Sequence, residues 1–123
     1  MVLDDDAVMR DLFDVNLKRL GHKTIMARSG TEALQLYKQQ LDGNGTIDVV
    51  ILDLSLVGGM NGVEVAENIR LLDPNAKLIV TSGNSWADEM RNFQQYGFSA
   101  ALEKDLSRDK LQQLLNQVLN AKN

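Results

Sequence analysis

The feature that most constrains this chain is the alternation of short β-branched runs with segments of helical spacing, from one end to the other. Such runs occur at residues 23–27, 47–52 and 77–81. The central one closes on Val49, Val50, Ile51 and Leu52, apolar on consecutive positions, as a strand covered on both faces should be. Between the runs apolar residues recur with a period near 3.6. Val8, Leu12 and Val15 form one stripe, widened by Phe13, Leu17 and Leu20. Leu34, Tyr37 and Leu41 form a second, and Val65, Ile69 and Leu72 a third. Leu111, Leu114, Leu115 and Val118 form the clearest of all, read as core, with a homodimer contact as the alternative. Gly21, Gly43 and Gly45 stand where left-handed helix ends are wanted, Asp73-Pro74-Asn75 ends the third helix, and Ser107 is placed to cap the last. Strands are therefore predicted near 1–4, 23–28, 47–53, 77–82 and 98–102, in an α/β fold with a mostly parallel sheet and helices on both faces. Only Met1, Val2 and Leu3 precede an acidic run, so the first strand reads as truncated.

Composition narrows the chemistry. The 123 residues suit one domain, 1–123, and 44% of them are apolar, enough for a core without staples. There is no cysteine and one histidine, His22, which excludes disulfides, thiolate or multi-histidine metal centres and a Ser-His-Asp triad. The lack of cysteine fits a reducing, cytoplasmic setting. No apolar run approaches the ~20 residues of a membrane span. A net charge of −4, with no basic helix, speaks against direct nucleic-acid binding.

In an open parallel sheet, ligands bind beyond the carboxyl ends of the strands. Asp4, Asp5 and Asp6 follow the first predicted strand, Asp53 ends the third, Thr81, Ser82 and Gly83 end the fourth, and Glu103 and Lys104 the fifth. Acids, hydroxyl and amine thus converge on one edge. Carboxylates about 4 Å apart repel by ~4 kcal/mol at an effective dielectric of 20, so their convergence calls for a cation. An all-oxygen donor set suits a hard ion such as Mg2+. The plainer reading is that Asp4–Asp6 cap the first helix, a role expected of Asp6 in particular. Asp53 ends the most apolar strand, where an uncompensated charge is costly. Beside Mg2+ it would be a nucleophile toward a phosphoryl group, with Lys104 and Ser82 placed to pair with the oxygens.

These residues resemble the receiver domain of two-component response regulators, over essentially the whole chain. Val2-Leu3-Asp4-Asp5-Asp6 followed by Met9-Arg10 is similar to that family's first-strand acidic motif. Ile51-Leu52-Asp53-Leu54 is similar to its phosphoacceptor strand, Val80-Thr81-Ser82-Gly83 to its hydroxyl-bearing strand and Lys104 to its lysine, whose interval of 22 from Ser82 favours Ser82 over Thr81 as the switch hydroxyl. The resemblance implies a flavodoxin-like three-layer fold with a five-stranded sheet in order 2-1-3-4-5. It implies Mg2+ held by Asp5 and Asp53, by the Ser55 carbonyl and, through water, by Asp4. It further implies that Asp53 accepts a phosphoryl group from a phosphohistidine on a sensor histidine kinase or histidine phosphotransfer protein. Transfer and dephosphorylation would be self-catalysed, with Ser82 moving toward the phosphate and Lys104 bridging it. A partner would then read the change on the fourth helix, fifth strand and fifth helix.

The loop from Asp53 to Gly62, one residue longer than usual, together with Ser82-Gly83 and Tyr96-Gly97-Phe98, resembles the receivers of hybrid sensor histidine kinases. Three positions depart from the family pattern. Val57 stands where proline is usual, Asp105 follows the lysine in place of proline, and Ala101 occupies a site usually held by Tyr or Phe. They support an alternative, a pseudo-receiver acting as a phosphorylation-independent interaction module. A flavin-phosphate binder would want anion donors where Asp4–Asp6 stand, and a dehalogenase-type phosphatase would want a second acid where Ser55 stands.

Overall fold

The structure, a computed structural model, describes residues 1–104 and 107–120. Five parallel strands form one sheet: β1 (Val2–Leu3), β2 (Met26–Ala27), β3 (Val50–Asp53), β4 (Leu78–Ser82) and β5 (Ala100–Glu103), in order β2-β1-β3-β4-β5. Helices α1 (Ala7–Arg19), α2 (Gly30–Asp42), α3 (Gly62–Leu72), α4 (Asp88–Arg91) and α5 (Arg108–Leu119) connect and follow them. A 3-10 turn, Phe93–Tyr96, extends α4. The expected architecture is therefore present. The strands are shorter than expected because a ladder extends only as far as its partner. β2 pairs with β1 alone, Val2 opposite Met26 and Leu3 opposite Ala27, so two rungs set its length.

Alternation along the strands sends side chains to two cores. Leu3, Val50, Leu52, Leu78 and Val80 pack with Ala33, Tyr37, Val65, Ala66 and Ile69 of α2 and α3. On the opposite face Val2, Ile51, Ile79 and Leu102 pack with Phe13 and Leu17 of α1 and with Leu111, Leu115 and Val118 of α5. The last stripe is thus core, as read. α2 and α3 pack closely because Gly30 lies where a Cβ would come within 2.6 Å of Val65.

Two local expectations are overturned. The Val8, Leu12, Val15 stripe of α1 faces solvent, at 65%, 44% and 47% exposure, while Phe13 and Leu17 are buried. A second ladder on the same helix, Met9, Phe13 and Leu17, is better placed for the sheet and carries the bulkiest side chain. After α2 the left-handed residue is Asn44 (φ 60) and not Gly43 (φ −86), which caps the helix through its N–H to Gln39 O. Asn tolerates that region because its short side chain is polar. Gly45 is required for space instead: a Cβ there would meet Gln40 Oε1 at 2.5 Å. Gly21, Asp6 and Ser107 behave as expected, Gly21 with φ 90, Asp6 accepting from the Val8 N–H at 2.9 Å and Ser107 from the Lys110 N–H at 3.4 Å.

Candidate functional site

Parallel pairing places the carboxyl ends of β1, β3, β4 and β5 side by side. Leu3 is opposite Leu52, Asp53 opposite Thr81, and Ser82 opposite Glu103. The residues just past these rungs therefore meet. Asp4 and Asp53 are buried, at 1% and 2% exposure, while Asp5 is exposed. One carboxylate oxygen from each of the three lies within 4.8 Å of the others.

Each acid has its own means of compensation. Asp4 Oδ1 accepts the Asp6 N–H at 2.9 Å, Asp53 Oδ1 accepts the Ser55 N–H at 2.9 Å, and Asp5 Oδ2 accepts the Val57 N–H at 3.0 Å. The Lys104 ammonium, four-fifths buried, sits 3.0 Å from both Asp4 Oδ2 and Asp53 Oδ2. Asp4 Oδ2 is buried and relies on the Lys104 ammonium for its compensation. Burial pushes the Asp4 carboxyl above its usual range. The Asp6 amide and Lys104 pull it back, and the neighbouring Asp53 charge adds to the rise. Burial also works against the Lys104 charge, but its hydrogen bonds and charge pairs with Asp4 and Asp53 outweigh that and raise its pKa. The three acids of the cluster offer only hard carboxylate oxygens. That donor set fits a hydrated Mg2+ ion, which takes only a few protein oxygens.

The two hydroxyls at the end of β4 differ in their bonding. Thr81 Oγ1 donates to the Leu52 carbonyl at 3.3 Å, which ties it to the sheet. Ser82 Oγ accepts the Asn84 N–H at 3.0 Å and so keeps its own proton to donate. The Ser82 carbonyl accepts the Lys104 N–H at 3.3 Å, continuing the β4–β5 ladder to the lysine. Ser55 lies exposed in the turn after Asp53, its amide on the Asp53 carboxylate. All the predicted residues, Asp4, Asp5, Asp53, Ser55, Ser82 and Lys104, thus fall on one edge of the sheet.

Sequence reasoning passed over three contributors. Arg10 donates through Nη1 to the Asp4 carbonyl at 2.7 Å, pinning the turn between β1 and α1. Gly62 opens α3 with no room for a side chain, since a Cβ would lie 2.7 Å from Asp53 O and 2.9 Å from Leu54 Cα. Its place nine residues after Asp53 was visible, but not the contact. The third is the Val57 amide on Asp5, a contact spanning 52 positions that no local pattern announces.

A family model for the response regulator receiver domain matches residues 1–116. The chain belongs to the response regulator receiver family. This receiver is 26% identical over 122 residues to the two-component response regulator ARR22 of Arabidopsis thaliana, covering 98% of the chain and 83% of ARR22. It is 26% identical over 120 residues to the autoinducer 1 sensor kinase/phosphatase LuxN of Vibrio campbellii, again over 98% of the chain but only 13% of LuxN. Among solved structures it is similar to the CheX–CheY–BeF3–Mg complex from Borrelia burgdorferi, with a TM-score of 0.86 and 26% identity over 98% of the chain and 87% of that neighbour. Sheet order and helix placement match the flavodoxin-like fold of these receivers. Of the three departures, Val57 is 84% exposed and Ala101 is half-buried against the α2–α3 core. Asp105 lies outside the described residues. No helix among the described residues is long and apolar enough to cross a membrane.

Proposed function

We propose that this receiver, taken as residues 1–123, is a phosphoacceptor that takes a phosphoryl group onto Asp53 from a phosphohistidine on a sensor histidine kinase or histidine phosphotransfer protein. The observation that carries the reading is the buried Asp53 carboxylate, fixed by the Ser55 amide and Lys104 beside Asp4 and Asp5. An Asp53 oxygen forms the new P–O bond while the P–N bond to the donor imidazole breaks and its electron pair returns to the ring nitrogen. Mg2+, held by the carboxylates of Asp5 and Asp53, the Ser55 carbonyl and, through water, Asp4, would neutralise charge on the phosphoryl oxygens. Lys104 supplies a second positive charge, and rupture of one of its two carboxylate pairs frees it for a phosphoryl oxygen. The Ser82 hydroxyl, with its proton unspent, donates to another.

The solvent-facing Val8, Leu12 and Val15 stripe suits the docking of the donor. It lies on the helix that begins three residues after Asp4, and an apolar face there would bring a partner helix to the mouth of the cluster. The similarity to the sensor kinase/phosphatase LuxN supports a cytoplasmic setting beside a kinase module. The complete set of acids, hydroxyl and lysine weighs against a phosphorylation-independent module.

Intact-mass analysis after incubation with acetyl phosphate, with and without Mg2+, tests the reading on the wild-type chain and Asp53→Ala. A single phosphoryl adduct that requires both Mg2+ and Asp53 is expected. No adduct from acetyl phosphate or from a histidine-phosphorylated donor would refute it in favour of the interaction module.

A further inference from the structure

We infer that the main-chain N–H of Val57 is a positioning group for the metal site, holding the Asp5 carboxylate in reach of Asp4 and Asp53; this rests on the Mg2+ reading above. Asp4 and Asp53 are buried and fixed by their own amides and Lys104. Asp5 is exposed, and among the described residues no lysine pairs with it. Repulsion from two neighbouring carboxylates would turn it out into water, where its charge is best solvated. The Val57 N–H, 3.0 Å from Asp5 Oδ2, opposes that.

The backbone, not packing, aims this amide. The Val57 side chain is 84% exposed, so it anchors nothing. The next two residues, Gly58 and Gly59, both have left-handed φ, 75 and 72, with open space where a Cβ would lie. That pair turns the chain back toward Asn61, which caps α3 in a capping box with Glu64. The loop after β3 thereby grips two ligands with two amides, Ser55 on Asp53 and Val57 on Asp5. A proline at 57 has no N–H and could not make the second grip.

The test compares Mg2+ titrations by calorimetry for the wild-type chain, Val57→Ala and Val57→Pro, with amide exchange at Val57 followed by NMR. Val57→Ala keeps the N–H and is expected to bind Mg2+ within about twofold of wild type, whereas Val57→Pro should bind about fivefold more weakly. Independently, and without metal, Asp5→Ala should speed exchange of the Val57 amide about fivefold. Equal Mg2+ affinity of the proline and alanine variants overturns the inference while leaving the phosphoacceptor reading intact. Should Val57→Pro fail to fold, an exchange rate at Val57 unmoved by Asp5→Ala overturns it as well. A wild-type chain that binds no Mg2+ brings down both.

Discussion

Lys104→Met removes the one cation from a buried triad and keeps most of the stem that packs around it. Each of the two 3.0 Å pairs is worth ~5–6 kcal/mol of Coulomb energy at an effective dielectric of 20, before the desolvation of the ions is charged against it. That desolvation cancels most of the gain in the wild-type chain, so the net effect of the variant is governed by what the orphaned Asp4 and Asp53 do next. They can shed their repulsion by taking up one proton. For an aspartate of ordinary pKa near ~3.9 this costs ~4 kcal/mol at pH 7 and ~1.5 kcal/mol at pH 5, which sets a ceiling on the destabilisation at each pH. The burial that already raises the Asp4 pKa makes it the natural site of uptake. Urea unfolding without Mg2+ should therefore show a loss of about 3 kcal/mol at pH 7, shrinking to about 1 kcal/mol at pH 5. Millimolar Mg2+ should restore more stability to the variant than to the wild-type chain at pH 7, since it answers a larger unmet charge. A loss that is the same at both pH values would refute the electrostatic reasoning and leave only packing.

Two further perturbations probe the scaffold. Gly62→Ala forces a methyl against the main chain at Asp53 and Leu54, so urea unfolding should show about 1–3 kcal/mol of destabilisation and phosphoryl uptake should fall with it. Tyr37 is fully buried with its hydroxyl donated to Asp73 Oδ2 at 2.7 Å, and burial together with that carboxylate raises its pKa. Its contribution is complete below the unfolded tyrosine pKa of ~10 and is lost above it, because there the unfolded chain ionises first. The stability gap between wild type and Tyr37→Phe, about 1 kcal/mol at pH 7, should therefore close by ~1.4 kcal/mol per pH unit above ~10; a gap that stays constant would sink the assignment.

The sheet was legible because consecutive apolar residues in β3 and turn residues at the right offsets leave few topologies open. The site was legible because strand ends in a parallel sheet must share an edge, so Asp4, Asp53, Ser82 and Lys104 could be brought together on paper. What the sequence concealed was direction. α1 carries two apolar ladders, and periodicity alone cannot choose between Val8-Leu12-Val15 and Met9-Phe13-Leu17; the choice is made by which ladder meets Ile51 and Ile79 across the layer. Gly43 was read as the left-handed residue because glycine is the usual one, yet Asn44, next to it, takes that conformation. Thr81 and Ser82 are told apart in the sequence only by the interval to Lys104, and their partners, the Leu52 carbonyl and the Asn84 amide, are visible only in the structure. A main-chain contact such as Val57 on Asp5 asks of the sequence only that residue 57 not be proline.

The order β2-β1-β3-β4-β5 has a consequence for the lifetime of the folded chain. Asp4, Asp53 and Lys104 come from opposite ends and the middle of the sequence, and closing such long loops is a late and entropically demanding event in folding. Repulsion between the two aspartates arises only once β1 and β3 are in register, and relief by Lys104 only once β5 has joined β4. A balance struck only after β5 has joined β4 acts mainly on the unfolding rate: a chevron of Lys104→Met should move the unfolding limb and leave the folding limb almost untouched.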